Sequence, residues 1–80
     1  MLFRSPLKRK LSYREQREWD GMEAAITAAE EAVAARQAAV ERAAAAGHEA
    51  LAAACRGLEE AQHAVERLYA RWQELEARRG

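Results

Sequence analysis

The sequence predicts an all-α protein, an antiparallel two-helix coiled-coil hairpin behind a basic, mostly irregular N-terminal arm. Three observations carry that reading. Leu51, Ala54, Leu58, Ala61, Val65, Leu68, Trp72 and Leu75 alternate steps of three and four without a slip, which is a heptad seam. A second seam of the same phase runs through Trp19, Met22, Ile26, Ala29, Val33, Arg36, Val40 and Ala43, with Arg36 its one polar member. Between them lies Gly47, the residue type that adopts the left-handed backbone that ends a helix. Neither stripe is stable in water alone, so each must be covered, and the nearest cover is the other.

Composition agrees with this and bounds the function. Eighty residues make one small domain, rich in alanine, with 32% charged residues and a single proline, Pro6. Thirteen basic and thirteen acidic residues cancel, so no global field draws in nucleic acid or membrane, and any such attraction must come from local clustering. Cys55 is the only cysteine, which excludes an internal disulfide and suits a reducing cytoplasm. No apolar run approaches the length of a membrane span or a signal-peptide core, so a cytoplasmic protein without membrane contact is expected.

Taken in order, residues 1–11 read as a basic linker or arm without periodicity, charged by Arg4, Lys8, Arg9 and Lys10. Leu2-Phe3-Arg4-Ser5 matches the translation of a widely used sequencing adapter in one frame. Met1 to Ser5 are therefore set aside, and the natural chain is expected to start near Pro6 as the tail of a longer protein. The hairpin is expected over residues 12–79. Ser12-Tyr13-Arg14-Glu15 is a capping box, in which the Ser12 hydroxyl accepts from the Glu15 amide and the Glu15 carboxylate accepts from the Ser12 amide. The first helix is placed near Ser12 to Ala46. Gly21 leaves both a kink and an unbroken helix open, since glycine in a helix interior costs roughly 1 kcal/mol relative to alanine. The turn falls near residues 46–48, and the second helix runs from His48 to Arg78.

A bend at Gly47 brings positions equidistant from it face to face, and their sizes are complementary. Ala43 opposes Leu51, Val40 opposes Ala54, Val33 opposes Ala61 and Ala29 opposes Val65, a large residue against a small one in each layer. Towards the open end both partners are large: Ile26 with Leu68, Met22 with Trp72 and Trp19 with Leu75. The predicted core is thus Trp19, Met22, Ile26, Val33, Val40, Leu51, Leu58, Val65, Leu68, Trp72 and Leu75, best filled near the termini. On one flank Tyr69 lies across from Glu23, a candidate hydrogen bond. On the other, Ala25, Ala32 and Ala39 lie across from Arg71, Ala64 and Gly57, a strip of small residues that reads either as a docking face for a third helix or as alanine-rich composition.

Catalytic and metal chemistry are not indicated. There is no phosphate loop, no glycine-rich nucleotide fingerprint and no His-x-x-x-His or Cys-x-x-Cys spacing. His48 and His63 are separated by roughly 20 Å of helix and cannot share a metal, and His48 and Cys55 by about 10 Å, too far for a nucleophile and its base. No cofactor is expected. The one charge feature is basic clustering at the open end: Lys8, Arg9, Lys10, Arg14 and Arg17 from the start of the chain, with Arg67, Arg71, Arg78 and Arg79 returned there by the fold-back. With Tyr13 among them they form a phosphate-binding footprint. Because Glu15, Glu18, Asp20, Glu74 and Glu76 are interleaved, ordinary solvated helix ends remain the alternative.

Two motifs add a resemblance. Lys10-Leu11-Ser12-Tyr13-Arg14-Glu15-Gln16-Arg17-Glu18 and Leu68-Tyr69-Ala70-Arg71-Trp72-Gln73-Glu74-Leu75-Glu76 resemble the opening and close of the C-terminal domain of Uup-type ABC-F ATPases, the ABC transporter C-terminal domain, over nearly the whole chain from Lys10. The resemblance implies an antiparallel coiled coil in a cytoplasmic bacterial protein. Two upstream ATPase cassettes in cis would bind and hydrolyse ATP, and the tail would resemble DNA-binding modules of proteins that act on or near the ribosome. This chain departs from the family in having Met22-Glu23 where many members carry Leu-Pro, and in its short joint around Gly47.

The expected role is that of a non-catalytic nucleic-acid-binding module contacting DNA, or RNA at the ribosome, through Lys8, Arg9, Lys10, Arg14, Arg17, Arg71, Arg78 and Arg79. The alternative is a protein-interaction or dimerisation hairpin without nucleic-acid binding, in which the Ala25 to Ala64 strip or the splayed Trp end receives another helix, since such hairpins also pair into four-helix bundles. A monomer is expected over a dimer.

Overall fold

The computed structural model describes residues 11–79. They form two helices, α1 over Tyr13–Ala43 and α2 over His48–Arg79, packed against each other as a hairpin. At 1.5 Å rise per residue each helix is roughly 45–50 Å long.

The local signals set the ends. At the start of α1 the capping box is complete: the Glu15 amide donates to Ser12 Oγ at 3.2 Å and the Ser12 amide donates to Glu15 Oε1 at 3.0 Å. These bonds satisfy two groups that would otherwise lack partners at a helix start. α1 then continues without a break through Gly21, where nothing lies within 4 Å of the position a Cβ would take. The helix formers on both sides outweigh the small local cost of one glycine, and the helix is not interrupted there.

α1 ends at Ala43 rather than Ala46. The amides of Ala45 and Ala46 donate to the carbonyls of Arg42 and Ala43 at 3.3 and 2.9 Å, a tightened final turn that leads the chain out of the helix. Gly47 has φ +120°, a conformation open to glycine because it has no Cβ, and its carbonyl accepts from the Leu51 amide at 3.0 Å as α2 begins. The reversal thus sits at the expected glycine, with a joint from Ala44 to Gly47.

The core lies at the open end. Met22, Ile26 and Leu75 are the buried residues among those described, and Leu11, Trp19, Leu68 and Trp72 pack against them. Nearer the tip, Val33, Val40, Leu51, Leu58 and Val65 are half-buried, because two helices cover a seam from one side only. Arg36, the polar member of the seam, stretches over Gly57: a Cβ added there would meet its Cδ at 3.5 Å and its Nη1 at 3.4 Å. Gly57 thereby lets an arginine occupy a seam position while its head group stays exposed. Among the described residues no helix is long and apolar enough to cross a membrane.

Candidate nucleic-acid interface at the open end

Antiparallel packing brings the first turns of α1 and the last turns of α2 together, and their charges form a lattice. Glu15, half-buried, is its centre. Its carboxylate accepts from the Ser12 amide, from Arg78 Nη2 at 2.8 Å and, through Oε2, pairs with Arg78 Nη1 and with Arg71 Nη2 at 3.8 Å. Arg71 Nε and Nη2 donate to the two oxygens of Glu18 at 2.8 and 3.0 Å, and its Nη1 donates to Glu74 at 3.0 Å. This is the paired geometry for which a guanidinium is suited. The Ser12 amide and the Arg78 guanidinium hold the Glu15 carboxyl below its ordinary range, the Arg71 guanidinium does the same for Glu18, and Arg71 is held in its charged form by Glu18 and Glu74.

The described members of the basic cluster therefore divide into two groups. Arg71 and Arg78 link the two helices through carboxylates. Arg14, Arg17, Arg67 and Arg79 have no carboxylate partner among the described residues. Arg17 lies over the Tyr13 ring at 5.9 Å and donates to its hydroxyl at 3.3 Å, and Tyr13 is the most exposed aromatic among the described residues. Arg79 stacks its guanidinium on the Trp19 ring at 4.4 Å, a cation–π contact. The expectations for Lys8, Arg9 and Lys10, and for residues 1–10 of the arm in general, lie outside the described residues.

One predicted contact is corrected. The Tyr69 hydroxyl donates to Glu30 Oε2 at 2.9 Å, not to Glu23, and this bond raises the Tyr69 pKa. The reason is the tilt of helical side chains towards the N-terminus of their own helix. In an antiparallel pair, Tyr69 leans towards the tip and Glu30 towards the open end, so they converge, whereas Glu23 leans away.

The zero net charge also conceals a partition that counting over the whole chain does not show. The first ten residues contain Arg4, Lys8, Arg9 and Lys10 and no acid, so the remainder holds nine basic and thirteen acidic residues, a net charge of −4. The basic character belongs to the arm, while the hairpin is acidic.

Two long helices packed as a pair and linked by salt bridges at their open end define the chain as a helical hairpin of the coiled-coil class. The family model of the ABC transporter C-terminal domain matches residues 10–77, and the chain belongs to that family. No curated protein and no solved structure was found to match. The family places the chain as part of an ABC-type protein, and the motifs at its two ends are the stretches joined by the Glu15, Glu18, Arg71 lattice.

Proposed function

We propose that the chain is the nucleic-acid-contacting tail of a Uup-type ABC-F ATPase, working in the cytoplasm with ATP-hydrolysing cassettes in cis and performing no catalysis itself. The observation that carries this reading is the partition of charge within a member of this family: Lys8, Arg9 and Lys10 lead directly into a hairpin whose first turns present Arg14 and Arg17 without carboxylate partners. Cations so placed release counterions from a phosphate backbone when they bind it. Exposed Tyr13, flanked by Arg17, supplies a face on which a base can stack. Arg71 and Arg78 serve this function indirectly, by fixing the two helix ends that carry the free cations. DNA and ribosomal RNA share the phosphate chemistry that this footprint would recognise.

The test is binding of duplex DNA and of a structured RNA by the chain over a range of salt, against a variant with Lys8, Arg9, Lys10, Arg14 and Arg17 changed to Gln. Binding is expected at low salt, and log K should fall with log salt at a slope of about −0.9 per phosphate neutralised on duplex DNA. The variant should bind weakly and with a shallow slope. Equal affinity of the two proteins, or no binding by the parent chain at low salt, removes the proposal. A stable dimer in solution would favour an interaction hairpin instead.

A further inference from the structure

The acidic hairpin has a feature that the nucleic-acid reading does not use. On α1, Trp19, Asp20 and Glu23, together with Trp72 of α2, line a shallow recess of about 320 Å³ at the open end. That volume is at the small end for a ligand pocket, of the size to take one side chain rather than a cofactor. Its walls are of two kinds. Trp19 and Trp72 are half-buried and lie 6.0 Å apart at 52°, and Tyr69 continues the row 6.2 Å beyond Trp72. Asp20 and Glu23, one helical turn apart on α1, are exposed, and neither has a cationic partner among the described residues. Asp20 accepts one neutral hydrogen bond, from Gln16 Nε2 at 2.9 Å.

Aromatic faces beside unpaired carboxylates form a seat for a cation, since the ring quadrupole and the carboxylate charge attract the same ligand. The structure already shows one of these rings acting so: Trp19 carries the Arg79 guanidinium at 4.4 Å. Phosphate is excluded, because an anion would face two carboxylates and the net negative charge of the hairpin.

We propose that the Trp19, Trp72, Asp20 and Glu23 recess is a docking site for a Lys- or Arg-bearing segment of a partner protein, with one cationic side chain seated between the rings and the two carboxylates. Charge complementarity selects the occupant. A partner's basic segment is attracted by the two carboxylates of the recess, while phosphate is left to the arm and to Arg14 and Arg17, so different parts of the chain recognise opposite chemistries.

Trp19 and Trp72 are the only tryptophans, so intrinsic fluorescence reads the site directly. The experiment titrates the full chain with an acetylated, amidated hexa-arginine peptide and with a hexa-glutamate control. Three variants accompany it: D20N/E23Q, E59Q/E60Q with its charges removed elsewhere on α2, and K8Q/R9Q/K10Q. The cationic peptide should change the tryptophan emission saturably and the anionic one should not. D20N/E23Q should bind on the order of tenfold more weakly, since an exposed ion pair is worth up to about fivefold in affinity. E59Q/E60Q should bind within about twofold of the parent. Circular dichroism of D20N/E23Q confirms that the hairpin is retained; both positions are exposed, so folding should not change. The proposal is overturned if D20N/E23Q binds as the parent does, or if the two double variants weaken binding equally, which would mean attraction by net charge alone. It is also overturned if the peptide binds only to K8Q/R9Q/K10Q, which would assign the recess to the chain's own arm.

Discussion

Leu75→Ala tests whether the open end holds the hairpin together. Leu75 has no exposed surface and forms the core cluster with Met22 and Ile26, against which Leu11, Trp19, Leu68 and Trp72 pack. Removing its branched end deletes a fully buried apolar group and leaves a cavity, and Leu to Ala changes of this kind cost about 2–5 kcal/mol. The lower part of that range applies here, about 2–3 kcal/mol, because Leu11, Trp19, Leu68 and Trp72 are each partly exposed and free to settle into the gap. A single core in a chain of this length supplies about 3–5 kcal/mol, so the change removes most of the folding free energy. Leu58→Ala, at a half-buried seam position nearer the tip, should cost roughly 1 kcal/mol, since the side chain is only partly withdrawn from water. Thermal unfolding followed by circular dichroism at the helix band reads both. At about 4–8 °C per kcal/mol, Leu75→Ala should lower Tm by about 10–20 °C and Leu58→Ala by about 4–8 °C. Equal losses at the two positions, or a Leu75→Ala shift below about 3 °C, would refute a core concentrated at the open end.

Three further predictions concern the backbone and the charge lattice. Gly21→Ala should raise stability by about 0.8–1 kcal/mol, because the position is helical and exposed with no atom within 4 Å of the new Cβ; a lowered Tm would contradict the unbroken helix. Gly47→Ala should destabilise by roughly 1–2 kcal/mol, since an L side chain strains at φ +120°, and guanidinium titration of the variant should show a lower midpoint with an unchanged slope. The carboxyls of Glu15 and Glu18 both titrate below their ordinary range in the folded chain. Their contribution is therefore complete above the unfolded carboxylate pKa, about 4.3, and is lost as pH falls through the lower folded values. Tm should drop between pH 5 and pH 3, and E15Q/E18Q, which keeps a cap acceptor at position 15, should show a shallower drop; parallel pH profiles would exclude the lattice as the source.

Much of the fold was legible because its determinants are local or periodic. The capping box specifies the start of α1 with four residues, Gly47 specifies the reversal with one, and the phase of the two seams makes the hairpin the arrangement in which each covers the other. Side-chain partners were less legible because they depend on direction as well as position. Tyr69 meets Glu30 through the opposed tilt of antiparallel side chains, which level pairing across the hairpin does not capture. Arg36 was an anomaly in the seam until Gly57 was seen beneath it, a relation between two helices that neither sequence pattern contains.

The basic cluster shows the same limit from the side of charge. Counting Arg71 and Arg78 with Arg14, Arg17, Arg67 and Arg79 gives one footprint, but distance separates them into two arginines paired with carboxylates and four that are not, among the described residues. In the sequence the tryptophans read as core, since both occupy seam positions, and the splayed end they form reads as a place where another helix could dock. In a two-helix hairpin, however, a seam has no third wall, and side chains as large as Trp19 and Trp72 keep one edge in water while the other covers Met22, Ile26 and Leu75. Seam residues at the open end are therefore structural and surface residues at once. A hairpin too thin to enclose its largest side chains leaves them open to a ligand, and the carboxylates placed one and four residues after Trp19 are the reason the proposed ligand is a cation.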